Sequence, residues 1–208
     1  MNRPAYNNFS NVFDDPNDDA QFIWSTNLVL DNEVAVRKVI GDQTPPVASF
    51  SVSSSAIQDG GALPDNLKCD RDGGTGQSPP IEWTGTPAGT QSLAVIMHHY
   101  PQGTVEGVDI PSQYWLLWNV PGDTTSIPQN NPTSLGNEGS DKDRVSTGYT
   151  SPCSPAGGGT NGYTITVYAL DTTDIGLGDM DDINVDWQAL TNAIDGKVLA
   201  SGSIDFVN

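Results

Sequence analysis

The chain has 208 residues, with 8 Lys or Arg against 26 Asp or Glu and a formal net charge of −18. A polyanion of this kind meets mainly repulsion from nucleic acid and from anionic membranes, so neither is an expected partner. The 22 Gly and 15 Pro follow no collagen-like period and are too many for a helical bundle. No apolar run approaches the ~20 residues of a membrane-spanning helix.

Residues 1–19 (MNRPAYNNFSNVFDDPNDD) hold no sustained period and read as an extended arm. The segment QFIWSTNLVL then predicts a strand, with Phe22, Trp24, Thr26, Leu28 and Leu30 on one side and Ile23 and Val29 on the other. Asp31-Asn32 can turn the chain into a second strand carrying Val34 and Val36. Pro45-Pro46 makes a stiff, extended connector, and a boundary is placed there. Residues 1–46 form an N-terminal extension, and residues 47–208 the main domain.

Beyond it, short strands at 50–53, 81–83, 92–98, 114–119 and 164–170 alternate with Gly, Pro and Asp turns. SLAVIM and YWLLWNV are almost continuously apolar, as in central strands covered on both faces. TITVYAL alternates, with Ile165, Val167 and Ala169 opposite Thr164, Thr166 and Tyr168. Residues 121–162 are too long for an ordinary connection. Asp186 can cap a helix over 187–195, with Trp187, Leu190 and Ile194 on one face and Gly196 as its stop. A strand over 199–206 closes the domain. The expected class is mainly β, an antiparallel sandwich with one short C-terminal helix and an N-terminal arm.

Of the 26 acids, 22 are Asp and 4 are Glu. Asp favours turns and caps, and an Asp-heavy, Lys-poor surface suits a β-rich protein outside the cell. Solubility through self-repulsion is the plainer use of that charge. DDPNDD and DTTDIGLGDMDDINVD lack EF-hand spacing, so they read as turns rather than calcium sites. Asn8-Phe9-Ser10 is a glycosylation triplet of a kind common by chance. Residues 1–20 lack the apolar core of a secretion signal, so the chain is cytosolic or its leader lies upstream. Cys69 and Cys153 form one bridge if the protein is secreted, or two buried thiols if it is cytosolic.

His98 and His99 are the only histidines, and adjacent strand residues face opposite ways, so at most one is expected to face a pocket. No Ser-His-Asp order and no metal-hydrolase motif stands out, no cofactor or metal is implied, and no enzyme activity is expected.

The order of motifs resembles the phosphatidylethanolamine-binding protein family, including its bacterial branch. LPDNLKCD (63–70), SPPIEW (78–83), PAGTQSLAVIM (87–97), YWLLWNVP (114–121), GYTSPCSP (148–155) and GYTITVYALD (162–171) stand where that family has its landmarks. The resemblance implies a Greek-key β-sandwich with a short C-terminal helix and a shallow anion pocket at one end. It also implies that Cys69 and Cys153 lie close enough to bridge. The family's Asp-Pro-Asp turn falls where His98 and His99 stand, the His before Trp115 is Tyr114, and the His-Arg-Tyr triplet is Asn161-Gly162-Tyr163. With Tyr149 upstream, these residues line an altered pocket that has lost three ionisable donors.

Two functions are therefore expected. The first is a non-enzymatic, extracellular or cell-surface structural subunit, a homo-oligomer or polymer whose residues 20–40, with Phe22, Ile23, Trp24, Leu28 and Leu30, add a strand to a neighbouring copy. A strand this apolar also has the simpler option of packing on its own domain. The second is a family-type ligand binder or inhibitor, with His98, His99, Tyr114, Tyr149, Asn161 and Tyr163 around a small polar ligand. A cytoplasmic location is the alternative.

Overall fold

A computed structural model describes residues 49–131 and 135–208. The expected N-terminal strands, with Phe22, Ile23, Trp24, Leu28 and Leu30, lie outside the described residues. The strands are β1 (Ser51–Ser53), β2 (Gly61–Ala62), β3 (Ile81–Thr84), β4 (Ser92–His99) and β5 (Ser112–Pro121). They continue with β6 (Ser126–Ile127), β7 (Asn137–Glu138), β8 (Gly162–Leu170), helix α1 (Trp187–Ile194) and β9 (Val198–Val207). Among the described residues the chain is mainly β with one short α-helix.

A six-stranded sheet runs in the order β2-β9-β8-β4-β5-β7, and a three-stranded sheet in the order β1-β3-β6. Among the described strands, only β2 and β9 pair in parallel. One apolar cluster joins Val52, Trp83 and Ile127 of the small sheet to Val95, Leu117, Val167 and Phe206 of the large one. On the other face of the large sheet, Ala94, Ile96, Leu116 and Trp118 pack against Leu190 and Ile194 of α1. Strands β4 and β5 thus bury both of their alternating sets of side chains, which is why SLAVIM and YWLLWNV are apolar throughout.

Helix α1 begins where Asp186 accepts a hydrogen bond from the Ala189 N–H at 2.9 Å, which satisfies one of the free donors of the first turn. It ends at Ile194, one residue before the expected limit, and Gly196 follows with φ +72°. The long segment expected as irregular contains β6, β7 and a bridge between Ser140 and Thr147. It is tied to the sheet at Gly139, whose N–H donates to the Leu116 carbonyl at 2.9 Å.

Candidate functional site

Strands β4, β8 and β9 are neighbours, and their register sets Tyr163 opposite Phe206 and Thr164 opposite both His98 and Asp205. Where they end, a cleft of about 360 Å³ opens, bordered by His98, His99, Tyr163, Thr164, Asp205 and Phe206. Both histidines border it, against the expectation that strand alternation allows only one. The cleft opens at the end of β4, so it is reached from both sides of that strand. The β4–β5 register slips between Met97 and His98 because β5 carries the extra residue Tyr114, while β4 stays in step with β8.

A continuous set of rings runs inward from the cleft; His99, Tyr163 and Phe206 border it, whereas Tyr114 and Tyr149, expected to line it, stand behind them. Tyr163 stacks on Phe206 with centroids 5.2 Å apart, and the His99 ring lies 5.0 Å from Tyr163. From β5, Tyr114 meets Tyr163 edge-on at 5.0 Å and His99 at 6.4 Å. His99 Nδ1 is 2.7 Å from the Gly162 carbonyl. A carbonyl only accepts, so Nδ1 carries the proton and a neutral ring keeps Nε2 as an acceptor. Burial pushes the Tyr114 phenol above its ordinary range, and the neighbouring Tyr163 adds to the shift.

Tyr149 stands one layer away, with its ring edge-on to Trp115 at 5.8 Å. Its hydroxyl is buried without a hydrogen bond, and burial, then Tyr163, raise its pKa. Tyr114 and Tyr149 are thus neutral donors at any ordinary pH. Asn161 holds the rim by its main chain, exchanging hydrogen bonds of 2.8 and 3.0 Å with Asn208, and it is not among the residues bordering the cleft.

The sequence reading did not single out Asp205, Phe206 or Thr164. The Thr164 hydroxyl donates to Asp205 at 2.7 Å. Pairing the two expected strands 164–170 and 199–206 as antiparallel neighbours is the signal that finds these residues. Glu138 was missed as well: it accepts from the Trp115 indole N–H at 3.1 Å and from Asn131 at 3.0 Å, so it steadies the rings from behind.

Cys69 and Cys153 are joined in a disulfide, with Cα atoms 5.2 Å apart and a sequence separation of 84. The same two segments are cross-tied by the Cys69 N–H to the Pro152 carbonyl at 3.0 Å and by Arg71 to the Ser154 carbonyl. The Ser154 N–H, then Arg71, hold the Asp72 carboxyl down to about 2. With both sulfurs bonded to each other, the Cys69, Asp72 and Cys153 grouping is a structural clamp and offers no thiolate to a metal.

The electrostatics oppose an anion. Among the described residues, Lys68, Arg71, Lys142 and Arg144 each pair with an Asp at 2.7 to 3.1 Å. Lys197 donates to the Ala193 carbonyl at 2.7 Å. None of them borders the cleft, whereas Asp205 does. A larger open cleft of about 640 Å³ at the far end of β4 and β5 carries Asp123, Asp174 and Asp179 and none of the expected site residues.

Similar proteins place this arrangement. A UPF0098 protein of Aquifex aeolicus is 31% identical over 137 residues, covering 62% of this chain and 73% of its own. The UPF0098 protein YbhB of Escherichia coli is 31% identical over 152 residues, 67% of this chain and 93% of its own. The crystal structure of E. coli YbcL, described as a member of the mammalian PEBP family, superposes with a TM-score of 0.63 at 23% identity, covering 77% of this chain and 98% of that one. A PEBP homologue from Chlamydia trachomatis gives 0.64 at 22% identity, covering 77% of this chain and 97% of that one. The phosphatidylethanolamine-binding protein family model matches residues 53–207, and the chain belongs to that family.

Proposed function

We propose that this chain is a non-enzymatic binding protein whose cleft between the ends of β4, β8 and β9 takes a small neutral polar ligand in place of a phosphate-bearing one. One observation carries the reading: this cleft is bordered by aromatic rings, two imidazoles and Asp205, with no Lys or Arg among its described lining residues. Stacked rings offer flat apolar faces, while Thr164, Asp205 and the His99 ring supply donors and acceptors around them. That pattern suits a polyol or sugar. A phosphate would meet a carboxylate with no compensating charge.

The reading includes the finer architecture expected from the sequence, a Greek-key sandwich with an N-terminal arm. It also includes life in an oxidising place, at the cell surface or outside it, which the Cys69–Cys153 bridge supports. Calorimetric titration with phosphoethanolamine and with neutral sugars tests the ligand class. Saturable heat with a sugar and none with phosphoethanolamine supports the proposal, and the reverse pattern rejects it.

A further inference from the structure

Strand β9 is ten residues long, yet its outer neighbour β2 pairs with it only at Phe206 and Val207. The Gly60 N–H extends this contact to the Asp205 carbonyl at 2.8 Å, and the Asp205 N–H is taken by the Asp59 side chain. The main chains of Asp205 and Val207 therefore point outward from the sheet. Alternation gives Ser203 and Ser201 the same direction. Among the described residues, nothing pairs with that side of β9 from Val198 to Ser203.

Strand β1 passes close to β9 at Gly202, where a Cβ would lie 3.0 Å from the Phe50 carbonyl oxygen. It hydrogen-bonds to β3, however, and leaves the outward groups of Ser201 and Ser203 unpaired among the described residues. Soluble proteins protect an open edge with Lys, Pro, inward charges or a covering element. Residues 198–204 (VLASGSI) contain no charged residue and no Pro. Val198 and Leu199 are 41% and 43% exposed, and Ser201 and Ser203 are exposed. On a chain of net charge −18, copies repel each other, so contact between them is favoured only where both surfaces are uncharged. Residues 21–30 (QFIWSTNLVL) are also uncharged, and they carry Phe22, Trp24, Leu28 and Leu30 at alternate positions. In sequence, Pro45-Pro46 stands between this segment and the domain, a pair that favours an extended connector over a tight return.

We propose that the open edge of β9 accepts residues 21–30 of a second copy as an added strand, with Ser201 and Ser203 supplying the main-chain hydrogen bonds. Donor and acceptor are different surfaces of one chain, so the contact is heterologous and propagates head to tail. It is independent of what the cleft binds.

Sedimentation of the full chain and of two complementary variants tests this. Ser201→Pro removes an outward N–H and leaves the β8 side of the ladder its donors, so it disables the acceptor. Ser201→Lys guards the same edge without Pro, should the first variant fold poorly. Trp24→Asp with Leu28→Asp disables the donor. The unaltered chain is expected to sediment as species larger than one copy and each variant as a monomer. An equimolar mixture of donor-disabled and acceptor-disabled chains should stop at two copies, because only one junction can form. A monomeric unaltered chain overturns the proposal. So do acceptor variants that assemble like the unaltered chain, or a mixture that stays monomeric because the strand packs on its own edge.

Discussion

Tyr163 and Phe206 face each other across the β8–β9 pair with their rings 12° from parallel and their centroids 5.2 Å apart. The stack joins the core, where Phe206 is 1% exposed, to the cleft that Tyr163 borders. Phe206→Ala should cost about 3–5 kcal/mol of stability by denaturant unfolding. Tyr163→Phe keeps the stack and removes only the phenol, so it should melt near the unaltered chain and lose ligand affinity.

Gly139 sits where the segment after β7 crosses β5. A Cβ there would lie 2.6 Å from the Val185 carbonyl oxygen and 2.9 Å from the Leu116 Cβ. Neither is the end of a flexible side chain, so the backbone must shift. Gly139→Ala should cost about 1–3 kcal/mol, read as a lower unfolding midpoint.

The central strands, the capped helix and the β8 alternation were legible in the sequence because each is a local pattern of burial or capping. Sheet order was less so. β2, β6 and β7 are two residues each, too short to show a period, and exist only through their partners. In the site, Tyr163 and the two histidines were legible from the order of motifs, while Tyr114 lies behind the bordering rings. Asp205 lies 41 residues beyond its register partner Thr164, with Phe206 next to it, and only the β8–β9 register brings them in. The register slip that leaves Tyr114 of β5 without a partner beside Met97 and His98 has no mark in the composition of the strand.

The Cys69–Cys153 bridge closes a loop with a sequence separation of 84, which stabilises the fold by about 4–5 kcal/mol on a chain-entropy basis, against a typical measured gain of about 2–4 kcal/mol. Thiol titration of denatured, unreduced protein should find no free thiol. Cys69→Ser with Cys153→Ser should unfold at lower denaturant, while the ties of Arg71 and Asp72 to Ser154 keep the two segments together in the folded state.

His98 gives the stability a pH dependence. Burial pushes its imidazole below the ordinary value, with Glu106 and Asp205 drawing it part of the way back. The unfolded chain protonates this group at about 6.5 and the folded chain only at lower pH. The unfolded state therefore binds more protons as pH falls below about 6.5, and stability declines from there toward the folded pKa. His98→Gln should flatten the fall in melting temperature between about pH 6.5 and 5.

The most direct test of the ligand reading is an NMR titration of isotopically labelled full-length protein with a panel of neutral sugars and, separately, with phosphoethanolamine. A saturable shift of the His99, Tyr163, Thr164 and Asp205 resonances with a neutral sugar, and none with phosphoethanolamine, is the expected result. Saturable shifts at those residues with phosphoethanolamine, or no shift there with any neutral sugar, would contradict it.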